Sequence, residues 1–263
     1  MSCRGIARLA TLLGTLLFAS APSSAQPSGQ VDLELVLLAD ATGSIDAGEI
    51  RFQREGYARA IADPAVLSAI AGGIHGRIAV TYVEWGHAES QDVVAGWTVI
   101  DGKAAADGFA EALLAPPRRA FGRNAIGAAL LFGKALIDEN AIQGTRRVID
   151  LSADSANNWN GPAIFDARDI VVKSGIVING LAVLCRHCSG RPANYDLEAA
   201  FAERIIGGPG SFVITADDRT TFAEAVRRKL ILEIAGSAID PLYESTRRRI
   251  ADAQPNEEDV KNE

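Results

Sequence analysis

Apolar runs without polar interruption alternate along this chain with segments whose apolar residues recur at helical spacing. The run Leu35–Ala39 is typical of a strand that is covered on both faces. Further strands are predicted at Arg77–Trp85, Arg146–Ser152 and Ile176–Leu184, and at least one helical segment separates each of them from the next. This alternation favours an α/β fold with a doubly wound (Rossmann-like), mostly parallel sheet and helices on both faces.

One predicted strand breaks the parallel pattern. Gln91–Val99 follows the second strand so closely that only a hairpin can connect the two, so we expect one antiparallel strand at an edge of the sheet. With Ser211–Thr215 as the last strand, the sheet is predicted to have six strands. The predicted helices cover Asp46–Ala62, Gly102–Leu114, Arg123–Ile137, Pro162–Ser174, Asp196–Ile206 and Thr220–Ile234.

The two ends of the chain differ from this pattern. Residues 1–25 combine a basic start, the apolar run Leu9–Phe18 and the small residues Ser23-Ser24-Ala25. These features predict a signal peptide that is cleaved after Ala25, and hence a periplasmic or secreted bacterial protein; an uncleaved membrane anchor is the alternative. The predicted domain covers residues 31–236. The tail, residues 237–263, is predicted to be helical and then disordered, because its end is polar and acidic.

Charge and cysteine usage limit the kinds of partner. A net charge of −7 without a basic stripe argues against nucleic acid or an anionic membrane as the partner. Cys185 and Cys188 lie in the sequence Cys-Arg-His-Cys. This spacing suits a local disulfide in an oxidising compartment, or otherwise a redox or zinc site, but zinc would need further ligands and no second pair of cysteines exists.

Oxygen-bearing side chains follow two of the predicted strands. Asp40, Thr42 and Ser44 occupy alternate positions on the loop that leaves the first strand, where open α/β sheets bind ligands. Such oxygen ligands suit a hard cation such as Mg²⁺. A second acidic segment ends the strand that begins at Arg146. In that segment Asp150 lies within the strand, which predicts a buried, hydrogen-bonded acid, whereas Asp154 lies beyond it on the loop.

From roughly Val31 to Gly236, in element order as well as motif, the chain resembles the von Willebrand factor A-type domain. That family carries a metal-ion-dependent adhesion site (MIDAS) whose first loop is Asp-x-Ser-x-Ser, and Asp40-Ala-Thr42-Gly-Ser44 matches it with Thr42 in place of the first Ser. Asn124 stands where the second loop of the family has a Thr, and Asp154 matches the Asp of the third loop. Three further segments resemble more specifically a group of bacterial exported A-type domains without an assigned activity: Asp150–Asn158, Cys185–Cys188 and Phe222–Gly236.

The resemblance implies a divalent cation, Mg²⁺ or alternatively Mn²⁺ or Ca²⁺, at the carboxyl end of the sheet. Its implied ligands are Asp40, Thr42, Ser44, Asn124 and Asp154. An open coordination position would receive an acidic side chain from a protein partner, as it does in the family. Asn157, Asn158 and Trp159 lie on the adjoining loop and are predicted to form part of the contact surface, because an exposed Trp is a suitable anchor.

The favoured interpretation is a non-enzymatic, exported protein-binding module. A metal-dependent hydrolase of the phosphatase type, with Asp40 as its nucleophile, is one alternative. In those enzymes a second acid follows two residues after the nucleophile, where this chain has Thr42, and the acidic pair Asp217-Asp218 is better placed as a helix cap. A metal-free structural protein of the envelope is the other alternative. No glycine-rich phosphate loop follows the first strand, which argues against nucleotide binding.

Overall fold

The computed structural model of the protein describes residues 28–184, 196–216 and 219–236. Its strands are β1 (Ser28–Asp40), β2 (Ile78–Trp85), β3 (Gln91–Ile100), β4 (Ala141–Ala153), β5 (Val177–Val183) and β6 (Val213–Ala216). Its helices are α1 (Ala47–Ile61), α2 (Pro64–Ala71), α3 (Lys103–Leu114), α4 (Ile126–Asp138), α5 (Ile164–Lys173), α6 (Leu197–Arg204) and α7 (Arg219–Ala235). The predicted leader, the Cys185–Cys188 pair, Asp217-Asp218 and the tail from residue 237 lie outside the described residues.

The six strands form one sheet in the order β3-β2-β1-β4-β5-β6, and every neighbouring pair is parallel except β2 and β3. This confirms the predicted fold class, including the antiparallel edge strand. The order reverses between β1 and β4, because the chain builds the sheet outward from β1 in one direction and from β4 in the other. In doubly wound sheets this reversal point opens a crevice at the carboxyl ends of the two strands.

Both faces of β1 are buried, as its uninterrupted apolar sequence predicts. Leu35 and Leu37 pack on one face of the sheet with apolar residues of α1, α2, α3 and α7. Val36 and Leu38 pack on the opposite face with residues of α4, α5 and α6. The central strand is therefore fixed from both sides, and the loop that follows Asp40 begins from a rigid position.

The largest differences between the predicted and the observed helices lie in two places. α2 was not predicted, although Asp63 caps it by accepting a hydrogen bond from the Ala65 amide (2.8 Å) and Pro64 occupies its first turn. α4 begins at Ile126 and not at Arg123, because the preceding residues form a loop that is bonded to its neighbours. The capping box of α1 is present as predicted, with reciprocal bonds between Asp46 and Glu49.

Two strands extend further than predicted. β1 begins at Ser28 and β4 at Ala141, and their first residues pair only with each other, Ser28 with Ala141 and Val31 with Gly144. Polar residues within these segments hide the strand pattern from sequence reasoning. Among the described helices none is both long and apolar enough to cross a lipid bilayer.

Candidate metal centre

Three loops meet where β1 and β4 end. We call residues 41–46 loop 1, residues 115–125 loop 2 and residues 154–163 loop 3. The Gly43 amide donates to the Gly122 carbonyl (2.8 Å) and so connects loop 1 to loop 2. The Trp159 amide donates to the Asn124 carbonyl (2.8 Å), which connects loop 3 to loop 2. All five predicted ligands therefore lie at the end of β1 or on loops that are bonded to one another.

Asp40 occupies the centre of this arrangement. Its side chain is buried, and Oδ1 accepts a hydrogen bond from the Thr42 amide (2.8 Å), while Oδ2 has no hydrogen-bond partner in the described structure. Burial and, to a smaller extent, the negative charge of Asp154 together raise the pKa of Asp40 to about 7, while hydrogen bonds with Thr42 and with the backbone of Asp154 oppose the shift. A buried carboxylate beside a second acid, with one oxygen unpaired, is an arrangement that a bound cation would stabilise.

The neutral oxygens of the set lie on the same loops. Thr42 Oγ1 and Ser44 Oγ are 3.1 Å apart; Thr42 is buried, whereas Gly43 and Ser44 are exposed, so the centre faces solvent on this side. Asn124 is buried and donates its Nδ2 to Ser155 Oγ (2.8 Å), which leaves its Oδ1 as the atom for a cation.

The donor set fits a hard divalent cation. It offers two carboxylates, two hydroxyls and one amide oxygen, and oxygen atoms are the ligands that hard cations such as Mg²⁺ and Ca²⁺ prefer. Within the described residues no three His, Cys, Asp or Glu side chains cluster around a common point. The centre would therefore depend on hydroxyl and amide oxygens together with the two carboxylates.

Arg118 holds loop 1 in shape, a role that the sequence did not reveal. Its Nη2 donates to the carbonyls of Ala41 (2.5 Å) and Thr42 (3.0 Å), and its Nη1 donates to the Ile45 carbonyl (2.7 Å). A fourth bond runs from its Nε to the Ala120 carbonyl of its own loop (3.0 Å). The guanidinium thus fixes the backbone around the predicted hydroxyl ligands.

A buried ion pair anchors loop 2 in turn. Arg54 of α1 makes a bidentate pair with Glu84 of β2, with distances of 2.7 and 2.9 Å, and both side chains are buried. Its remaining Nη1 donates to the Pro116 carbonyl (2.5 Å), where loop 2 begins. The neighbouring Gln53 donates to the Asp40 carbonyl (3.2 Å). α1 therefore positions both loop 2 and the end of β1.

Close backbone contact requires glycine at two positions around loop 2. A Cβ at Gly86 would lie 2.2 Å from the Phe121 carbonyl oxygen, so a side chain there would prevent the hydrogen bond from His87 N to Phe121 O (2.8 Å). Gly122 has φ +102°, and a Cβ on it would lie 2.8 Å from the Cβ of His87.

The residues predicted to contact a partner have different roles in the structure. Trp159 is 64% exposed, and Asn157 is also exposed. Asn158 instead holds loop 3: its Oδ1 accepts from the Gly127 amide (3.3 Å) and its Nδ2 donates to the Pro162 carbonyl (2.9 Å). Its amide group is thus committed within the protein.

Loop 2 contributes exposed groups that the sequence analysis did not single out. Phe121 is 67% exposed, and the guanidinium of Arg123 lies over the Trp159 ring, 5.3 Å from its centroid. No sequence motif marks these residues, because the fold of loop 2 is what places them beside the centre.

Asp150 lies outside the metal centre, as predicted. It is buried within β4, and the Nζ of Lys229, which is itself fully buried on α7, lies 2.8 Å from its Oδ1. The pKa of Asp150 is raised to about 7, chiefly by burial and also by the charge of Glu233, while the ammonium of Lys229 opposes the shift. Glu233 is the second acid on Lys229, at 2.5 Å. Asp150 thus belongs to a buried ion cluster.

Comparisons with known proteins agree with this architecture. A family profile described as "Protein of unknown function (DUF1194)" matches residues 30–238. Proximal thread matrix protein 1 from the mussel byssus is 16% identical with a TM-score of 0.53, over 79% of this chain and 47% of that one. The pilus adhesin SpaC from Lactobacillus rhamnosus GG is 13% identical with a TM-score of 0.55, over 80% of this chain and 31% of that one.

A further structure of the mussel protein is described as having a zinc-occupied MIDAS motif; it is 14% identical with a TM-score of 0.53, over 78% of this chain and 46% of that one. A search of curated proteins gives no match. The matched regions cover less than half of each of these three solved chains. At such identities the likeness establishes the fold, and the expected von Willebrand factor A-type architecture is confirmed.

Proposed function

We propose that this chain, which belongs to the family described as "Protein of unknown function (DUF1194)", is an exported, non-enzymatic module that binds a partner protein through a divalent cation. Asp40, Thr42, Ser44, Asn124 and Asp154 would hold the ion. When bound, the ion would supply a positively charged coordination position for an acidic side chain of the partner. Export would follow from the signal peptide predicted in residues 1–25, and a Cys185–Cys188 disulfide would form after export.

The observation that carries the proposal is the state of Asp40. A carboxylate that is buried and shifted to a pKa of about 7, with an unpaired oxygen in the described structure, is costly unless a cation compensates it. Arg118, the nearby cation of loop 2, directs its bonds to backbone carbonyls and so does not neutralise this acid. The zinc-occupied MIDAS described for a mussel relative and the adhesin description of SpaC support the same reading.

No observation favours the hydrolase alternative. Thr42 occupies the position of the second acid that such enzymes use, and its amide and hydroxyl are bonded to Asp40 and Ser44. We therefore keep the binding module as the single proposed function.

Calorimetric titration of Mg²⁺ and of Mn²⁺ into the chelator-treated protein tests the proposal. Saturable binding is expected in the parent protein and should be lost in Asp40→Ala and in Asp154→Ala. Asp46→Asn is the matched control, since this acid of loop 1 is exposed and caps α1, and Asn caps helices as well as Asp does. Absence of heat from either ion, together with an unchanged melting temperature, would contradict the metal centre.

A further inference from the structure

Two large aromatic side chains flank the candidate metal centre in exposed positions. Phe121 is 67% exposed and precedes Gly122, whose carbonyl accepts the bond from loop 1. Trp159 is 64% exposed, and its amide is bonded to the carbonyl of the predicted ligand Asn124. Single exposed apolar residues such as Ile74 and Leu114 are normal on protein surfaces, but two aromatic rings on the loops that carry a binding centre indicate a contact surface.

The part of loop 2 that contributes to this surface has a charge opposite to that of the whole protein. The net charge is −7, yet the segment from Arg118 to Asn124 contains three Arg and no acid. The guanidinium of Arg118 is bonded to the carbonyls of loop 1. The Arg119 side chain is 64% exposed and makes a long ion pair with Asp92, at 3.6 Å. Arg123 is exposed, and its guanidinium lies over the Trp159 ring. A cationic rim next to a cation-dependent centre selects for an acidic segment and repels a basic one.

We propose that Phe121, Arg123 and Trp159 form an aromatic, cationic rim that receives an acidic protein segment in which an aromatic residue adjoins the acid held at the metal centre. This inference rests on the proposed function and adds the chemistry of the partner. The aromatic residue of the partner packs against the rings of the rim, and further acids of the segment face Arg123 and Arg119. Rigid aromatic side chains beside Arg are the residue types that contribute most to protein interfaces.

Trp159 provides space for such packing on its other side. It lines a cavity of about 710 Å³ together with Ile164 and Phe165 of α5. Trp159 therefore lies between loop 2 and an open recess whose lining is apolar on the side of α5 and charged at Glu203 and Arg204. A partner segment that crosses the rim can place its acid at the metal centre and its aromatic residue at this recess.

Labelled peptides that differ in one feature each test the inference. The first carries Glu-Phe-Asp in a Gly/Ser background, the second Glu-Ala-Asp and the third Gln-Phe-Asn; each is titrated with the full protein in Mn²⁺ and in chelator, and binding is followed by fluorescence anisotropy. We expect the first to bind at least about tenfold more tightly than the second in Mn²⁺, which corresponds to about 1.4 kcal/mol. The third should not bind, and chelator should abolish all binding.

Variants locate the effect on the rim. Phe121→Ala and Trp159→Ala should each remove the preference for the first peptide while leaving the calorimetric binding of Mn²⁺ unchanged. Their folds should persist, because both residues contribute to loop contacts through backbone atoms. Leu114→Ala, an exposed apolar residue at the end of α3, is the control and should keep the preference.

The possible results separate this inference from the proposed function. Equal, Mn²⁺-dependent binding of the first two peptides would overturn the aromatic preference while the metal-dependent function stands. Binding of the first peptide that persists in chelator would count against both. Failure of every peptide to bind a protein that still takes up Mn²⁺ would overturn the inferred partner chemistry but not the metal centre.

Discussion

Two buried aspartates on neighbouring central strands differ in how their charge is compensated. Asp40 ends β1 and Asp150 lies in β4, and both have a pKa raised to about 7 chiefly by burial. Asp150 has the ammonium of Lys229 at 2.8 Å, whereas Asp40 makes no ion pair within the described residues. The fold supplies a cation to one acid, and it leaves the other beside exposed loop residues, where a cation from solution can reach it.

The comparison explains why similar burial has different consequences. Around Asp150 the cation is permanent: Lys229 also bonds Glu233, and the amide of Asn179 donates to Glu233 Oε1 (3.1 Å). Such a cluster tolerates burial because each member gains charged or hydrogen-bonded partners. Among the described residues the partners of Asp40 are neutral or negative, so the same burial is better suited to binding than to stability.

Removing the internal cation should have the largest effect. Lys229→Met would leave Asp150 and Glu233 buried without their shared ammonium, and we expect a loss of roughly 3–5 kcal/mol in the free energy of unfolding. Urea denaturation at neutral pH measures it. Lys173→Met, at the exposed end of α5, is the control and should change stability by less than about 0.5 kcal/mol. Equal losses in the two variants would show that the cluster does not depend on its cation.

Sequence reasoning found the elements and loops that depend on local pattern. The apolar run of β1 and the alternating Asp40, Thr42 and Ser44 are contiguous, so the fold class and the position of the centre could be predicted from them. Asp150 was predicted as a buried acid because it lies inside a strand. Its partner was not predicted, because Lys229 follows Arg227 and Arg228 in a basic run that is typical of a solvated helix face.

The remaining features depend on contacts between distant parts of the chain. Arg118 reaches the Thr42 carbonyl across 76 sequence positions, and Arg54 reaches Glu84 across 30. The late start of α4 has the same origin, since Asn124 is held in a loop by its bond to Trp159. Such pairings follow from the packing of loops after the sheet has formed, and no local pattern encodes them.

Neutralising Asp40 should stabilise the metal-free protein. Its folded pKa of about 7 lies above the ordinary aspartate value of 3.8, so the folded state binds more protons than the unfolded state between these two pH values, and stability falls as the pH rises through this window. In Asp40→Asn this loss disappears, and Asn retains an acceptor for the Thr42 amide. We expect the variant to be more stable than the parent by about 1–3 kcal/mol at pH 8 in chelator.

Urea denaturation from pH 4.5 to pH 8 checks this expectation and its sign. The difference between variant and parent should grow with pH, and saturating Mg²⁺ should reverse it at pH 8 because only the parent would bind the ion. A difference that is independent of pH and of Mg²⁺ would mean that Asp40 is compensated within the protein, as Asp150 is.

The smallest effect is expected at Arg118. This variant tests whether Arg118 arranges the metal ligands of loop 1 or compensates their negative charge. Its bonds go to the carbonyls of Ala41, Thr42 and Ile45, so Arg118→Met should loosen loop 1 without removing a charge partner of Asp40. We expect the dissociation constant for Mn²⁺ to rise by about tenfold, as is usual when a residue that positions metal ligands is lost. Arg119→Met removes an equal charge from an exposed neighbour and should leave the constant within about twofold, as expected for a screened surface charge. If both variants weakened Mn²⁺ binding equally, Arg118 would act through its charge and not through the shape of loop 1. If neither did, the bonds to the three carbonyls would not be what arranges the metal ligands of loop 1.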